Sequence, residues 1–117
     1  MGFDPAVADE DYCYLTTTGR VSGRPREIEI WFGLHGSRLY MLAGGRERAD
    51  WVRNLMRDPA VAVRIGGEQL PGRGRVVEDP EEGALARRLL FEKYSPGYGG
   101  NLEDWRQNAL LVAVEFD

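Results

Sequence analysis

Two short stretches hold most of the side chains that can grip an anion. The first is Gly19-Arg20-Val21-Ser22-Gly23-Arg24-Pro25-Arg26, with three arginines, a serine hydroxyl and two glycines in eight residues. Guanidinium forks match the paired oxygens of phosphate and carboxylate. Glycines allow neighbouring backbone N–H groups to face one concavity. The stretch has neither the Gly-Lys-Ser/Thr ending of a P-loop nor the Gly-x-Gly-x-x-Gly of a dinucleotide fold. As a bare pattern it fits a solvated turn nearly as well as an anion site. The second stretch is Ala43-Gly44-Gly45-Arg46-Glu47-Arg48-Ala49-Asp50-Trp51. A strand ends there in a glycine corner and a helix follows, so N–H groups are exposed to an anion or a ring carbonyl. Glu47 and Asp50 partly cancel Arg46 and Arg48, and a plain strand-to-helix turn is an equal reading.

The elements around them decide whether the two stretches meet. Tyr12–Thr18 is aromatic and β-branched and reads as a strand. Residues 27–32 alternate, with Ile28, Ile30 and Phe32 on one face and Glu27, Glu29 and Trp31 on the other. His35-Gly36-Ser37 predicts a hairpin turn and Arg38–Ala43 the return strand. A helical stripe runs over 46–57, with Val52, Leu55 and Trp51 on it, and Asp58-Pro59 stops it. Strands are predicted at 60–65 and 70–77. Asp79-Pro80-Glu81-Glu82 is a helix start, with Asp79 as N-cap and the helix running to Tyr94. A loop at 95–100, a short helix at 102–107 and a strand at 110–116 complete the chain. The expected fold is mainly β within the α+β class: a six-stranded antiparallel split barrel with two or three flanking helices. In a hairpin topology the turn at 19–26 and the corner at 43–45 lie at the same end of the sheet. Such a site suits a flat ring with an anionic tail.

Composition bounds the rest. The 117 residues carry 43% hydrophobic and 29% charged side chains, values ordinary for one globular domain spanning 1–117. The acidic segment 1–11 is expected to be poorly ordered. The net charge of −4 argues against a general nucleic-acid binder. No apolar run reaches membrane-span length. The N-terminus lacks a secretory h-region and the serine or threonine of a myristoylation signal, so a cytoplasmic protein is expected. A single cysteine, Cys13, excludes an internal disulfide, and with one histidine, His35, no structural zinc site is expected. Cys13 is expected in the core and His35 at a solvated turn. Arg87 and Arg88 are expected to face solvent, and Trp51 to pack the helix onto the barrel. Tyr94 to Gly100 reads as an aromatic lid-like loop. Trp31 is placed either on a substrate pocket or on the outer barrel face.

The segments LTTTGRVSGRPREIEIWF and LYMLAGGRERADWVRNLMRDPAVAVRIGG resemble the deazaflavin-dependent nitroreductase and quinone reductase family, split β-barrel proteins that use coenzyme F420. Many members have a longer corner with a lysine before the tryptophan, where this chain has the compact AGGRERADW. The resemblance implies that Arg20, Arg24 and Arg26, with Ser22 and Gly23, hold the cofactor's phosphate and glutamate tail. It implies that Ala43, Gly44 and Gly45 face the deazaflavin ring, with Arg46 and Arg48 in place of the family lysine. Trp31, Tyr94 and Tyr98 are candidates to meet substrate. Tyr94, Tyr98 or solvent is the candidate proton donor. The implied reaction is hydride transfer to a quinone, nitro compound or activated enone, in a monomer or homodimer. Two rivals remain. One is an FMN-dependent reductase on the same barrel, for whose single phosphate three arginines are more than is needed. The other is a carrier that binds F420 or another anion without turnover. Heme is disfavoured because the sole histidine lies in a turn.

Overall fold

The structure is a computed structural model that describes residues 2–116. Its strands are β1 (Cys13–Thr18), β2 (Pro25–Ile30), β3 (Gly33–His35), β4 (Arg38–Ala43), β5 (Ala60–Ile65), β6 (Glu68–Val76) and β7 (Leu110–Phe116). The helices are α1 (Asp50–Arg57), α2 (Pro80–Tyr94) and α3 (Glu103–Asn108). All strand pairs are antiparallel, in the order β2-β1-β5-β6-β7-β4-β3.

The two edge strands of that order, β2 and β3, are consecutive in the chain and joined only by Trp31 and Phe32. Two linking residues span on the order of 10 Å, so the sheet must curl until its edges approach. This is the split barrel expected from the sequence, with seven strands instead of six. The predicted strand over 27–32 is cut because its first part pairs with β1 and the chain then crosses to pair with β4. Phe32 is fully buried at the crossing. Its N–H donates to the Tyr94 hydroxyl at 2.9 Å, and its carbonyl accepts from Lys93 Nζ at 2.9 Å.

The alternating pattern of the strands divides the apolar residues between two cores. Cys13, Leu15, Leu39, Met41, Val61, Val63, Ile65, Val112 and Val114 fill the barrel, with Val52 and Leu55 supplied by α1. The opposite faces of β4 and β7 present Tyr40, Leu42, Leu111 and Ala113 to Ala86, Leu90 and Tyr94 of α2 and to Leu102 before α3. Burial on both faces explains why RLYMLA and LLVAV are continuously apolar. Asp79 caps α2 as predicted, its Oδ2 accepting from the Glu82 N–H at 2.8 Å.

In the acidic segment Pro5–Asp9 forms a 3-10 turn, and Phe3 is buried edge-on against Phe116, their ring centroids 5.1 Å apart. Two local expectations change. The helix expected from 46 begins at Asp50, because Ala49 is extended and Arg46 holds a left-handed φ of 56° inside a separate 3-10 turn. Arg87 does not face solvent; its Nη1 donates to the carbonyls of Arg106 and Ala109, at the end of α3, at 2.8 and 2.9 Å. A guanidinium there satisfies carbonyls that the ending helix leaves unpaired.

Candidate functional site

The arginine-rich turn is closed by its own backbone. Gly19 N–H donates to the Arg24 carbonyl and Gly23 N–H to the Gly19 carbonyl, both at 2.8 Å. Ser22 Oγ accepts from the Arg24 N–H at 3.2 Å. Two glycines are required. Gly23 has φ +72°, and a Cβ on Gly19 would lie 2.9 Å from Ser22 Oγ and 3.1 Å from the Arg24 carbonyl.

Arg20 ties this turn to α1. Its backbone N–H and its Nη1 both donate to Asn54 Oδ1, at 3.1 and 2.8 Å, and its Nη2 pairs with Asp50 Oδ1 at 3.1 Å. Asn54 is buried and donates in turn to Thr17 Oγ1 at 3.3 Å. Asp50 and Asn54, four residues apart, share the helix face turned toward the strand end. Neither was singled out as a site residue in the sequence, although that spacing was legible in DWVRN.

Between the turn and α1 lies a cleft of about 610 Å³. Thr17, Asn54 and Gly19 line it with polar groups; Val21, Ile28 and Trp51 offer apolar surface; Arg26 and Ser22 stand on the turn side. Trp51 serves two ends, packing on the barrel core and facing the cleft. Arg24 and Arg26 are exposed, and among the described residues their guanidinium groups have no hydrogen-bond or ion-pair partner. Of the two unmatched cations, Arg26 lines this concave, partly apolar site of ordinary ligand size and Arg24 stands on the same turn, an arrangement that fits a flat ligand with an anionic tail. Arg20 also lines the cleft, but its Nη1 and Nη2 already pair with Asn54 and Asp50, which fastens the turn to α1.

The glycine corner contributes less than expected. Ala43 is buried in the barrel, with 2% exposure. Gly44, Gly45 and Arg48 are exposed and none lines the turn–α1 cleft. Gly44 and Arg46 instead border a separate cleft of about 340 Å³ with Asp104, Trp105, Asn108 and Ala109. The corner and the turn are neighbours through α1, whose first residue holds Arg20, but they do not wall one cavity.

Trp31, Tyr94 and Tyr98 do come together, at a third cleft of about 200 Å³ on the other side of the β2–β3 crossing. Trp31 lies on the outer face, stacked on Tyr94 at 4.2 Å with an angle of 3° and edge-on to Trp105 at 5.5 Å. Tyr94 is removed as a proton donor. Its hydroxyl is held by the Phe32 N–H and by the carbonyls of Asp11 and Phe32, at 2.9, 2.8 and 3.1 Å, and burial pushes its pKa well up. Tyr98 stays exposed. His35 is exposed at the hairpin, and Cys13 is fully buried, its thiol pushed up to about 12 by burial. No group of three potential metal-ligating side chains occurs among the described residues. Among them, too, no helix is long and apolar enough to cross a membrane.

Solved structures of known proteins share this fold. An F420-H2 dependent reductase superposes with a TM-score of 0.72 at 24% identity, over 91% of this chain and 95% of that one. The heme storage protein HutZ from Vibrio cholerae gives 0.77 at 16% identity, over 100% of this chain and 92% of that one. A protein described as a domain-swapped dimer gives 0.74 at 25% identity, over 92% and 81%. One barrel thus serves different ligands, and the fold alone does not choose among them. The sequence does choose a family. Residues 6–116, from the N-terminal 3-10 turn to the end of β7, match the family described as F420H(2)-dependent quinone reductase, and the chain belongs to it.

Proposed function

We propose that this protein binds reduced coenzyme F420 in the cleft between the arginine turn and α1 and uses it to reduce an electron-poor organic acceptor such as a quinone, nitro compound or activated enone. The observation that carries this reading is the pair of unpartnered guanidinium groups, Arg24 and Arg26, on the turn beside that cleft. When bound, the reduced deazaflavin supplies the hydride. The chain's own work is binding and orientation. Arg24 and Arg26 hold the phosphate and carboxylate oxygens of the tail. Ile28, Val21 and Trp51 give a ring an apolar surface, and the Ser22 hydroxyl and nearby amides orient polar groups. The Arg20–Asn54–Asp50 contacts fix the turn against α1, which keeps the cleft at one width. No nucleophile or general base is required of the protein, and the open cleft lets solvent supply the acceptor's proton.

The test is a binding titration of F420, FMN, FAD and heme against the wild-type chain and an Arg24→Ala/Arg26→Ala variant. A charged hydrogen bond contributes about 1.5–3 kcal/mol, so each lost arginine should weaken F420 by roughly tenfold or more. FMN, with one phosphate and no glutamate tail, should change less. Unchanged F420 affinity in the double variant would remove the tail assignment. Anaerobic addition of a quinone to the F420H2 complex then separates enzyme from carrier, since only an enzyme bleaches the reduced cofactor.

A further inference from the structure

Lys93 is the one lysine of a chain that otherwise uses arginine for its fixed cations. Near the end of α2 it reaches the β2–β3 crossing, where Nζ donates to the Phe32 carbonyl at 2.9 Å and lies 3.6 Å from the Phe32 ring centroid. The cleft of about 200 Å³ opens beside it, lined also by Asp11, Tyr12, Trp31, Tyr94, Gly97 and Tyr98. Tyr12 and Tyr98 are exposed at 45% and 47%, two of the four large apolar side chains left so open among the described residues. Tyr98 stands edge-on to Trp31, their ring centroids 6.0 Å apart. An amine and several aromatic rings therefore share one small concavity that the proposed reaction does not use.

The charge around the amine comes from each neighbouring element. Asp9 and Glu10 act from the N-terminal 3-10 turn and its end and Asp11 from just before β1, while the uncharged Cys13 thiol of β1 and Tyr94 ring of α2 also face the amine. The acids favour the ammonium form, but burial outweighs them and lowers Lys93 to about 8. Near neutral pH an appreciable share is thus the neutral, nucleophilic amine. Among the described residues its one hydrogen bond is to the Phe32 carbonyl, an oxygen that also lies 3.1 Å from the Tyr94 hydroxyl.

We propose that this cleft is a second ligand site, for small aromatic carbonyl compounds, which Lys93 captures reversibly as an imine. The Nζ lone pair adds to the carbonyl carbon, and the carbonyl oxygen becomes the hydroxyl of a carbinolamine. That oxygen leaves as water as the C=N bond forms, taking both protons of the amine directly or through solvent. The balance is amine plus carbonyl giving imine plus water, with no oxidant or reductant. Tyr12, Tyr98 and Trp31 favour an aromatic over an aliphatic carbonyl. The inference is independent of the F420 reading, since the two clefts share no lining residue.

Benzaldehyde and butanal, each with cyanoborohydride to trap the imine, test the site, read by mass spectrometry of intact and digested protein. The single lysine leaves only the terminal amine as a competitor. Rates are normalised to those of N-acetyl-lysine amide with each aldehyde. The expected result is labelling of Lys93 that saturates with benzaldehyde, rises as pH passes about 8, and exceeds normalised butanal labelling by about fivefold. Lys93→Arg should abolish all but terminal labelling, and Tyr98→Ala, at a residue 47% exposed, should reduce the benzaldehyde preference. Labelling confined to the terminal amine, or a non-saturating rate equal for the two aldehydes, would overturn the proposal.

Discussion

Three arginines within seven residues divide into two jobs, and the division follows from what each fork can reach. Arg20 follows a strand end that α1 crosses, so its N–H and its guanidinium meet the same amide oxygen of Asn54. Arg24 and Arg26 are exposed, Arg26 on the cleft-lining side of β2 with Ile28, and neither guanidinium pairs with a group among the described residues. The consequence is separable by mutation. Arg20→Ala should lower stability by about 1 kcal/mol, because the exposed Asp50 pair contributes little and the buried Asn54 hydrogen bond most. Arg24→Ala and Arg26→Ala should leave thermal melting unchanged while weakening F420. Equal melting temperatures for all three variants would show that Arg20 does not fasten the turn.

At the scale of elements, α1 closes one mouth of the barrel by pressing Leu55 against β6. Gly74 makes that approach: its N–H donates to the Pro59 carbonyl at 2.8 Å, and a Cβ there would run into the Leu55 side chain. Gly74→Ala should therefore cost about 2 kcal/mol by overpacking, measured by urea unfolding. Leu55→Ala should cost less in the Gly74→Ala background than alone, giving a non-additive double-mutant cycle. Additive losses would mean that the two residues are not in contact. Because α1 also carries Asp50 and Asn54, a shift of this helix would widen the cleft proposed for F420, so the Gly74 variant should also bind F420 more weakly.

The whole molecule is held as two layers, barrel and outer helices, and one carboxylate stitches them. Glu82 of α2 accepts from Arg75 of β6 at 2.8 and 3.0 Å and from Tyr40 of β4 at 2.7 Å, with Arg38 at 3.3 Å. These partners, Arg75 foremost, hold its carboxyl down at about 2 against an ordinary 4.5. The folded state thus prefers the ionised form, and the unfolded chain binds the proton first as pH falls. The stabilisation is complete above about pH 4.5 and is lost as pH drops toward 2. Glu82→Gln should reduce stability at neutral pH and flatten the acid limb of a pH–stability profile. A wild-type profile of unchanged steepness in the variant would place the acid sensitivity elsewhere.

What the sequence alone settled was local. The alternation of EIEI, the glycine and proline turns, the Asp79-Pro80 helix start and the family motif around TTTGRVSGRPR are each written in neighbouring residues, and periodicity and turn chemistry act over that range. The antiparallel barrel followed from their order. Only the tertiary structure decided which partner each side chain finds. That Trp31 and Phe32 form a crossing depends on β2 and β3, paired to β1 and β4, standing at opposite edges of one curled sheet. That Arg20 belongs to Asn54, Tyr94 to Phe32 and Asp11, and Glu82 to three separate strand residues depends on contacts between segments far apart in the chain. A lone arginine or tyrosine carries the same chemistry wherever it sits; burial and the nearest opposing group determine whether that chemistry is open to a ligand or closed within the fold.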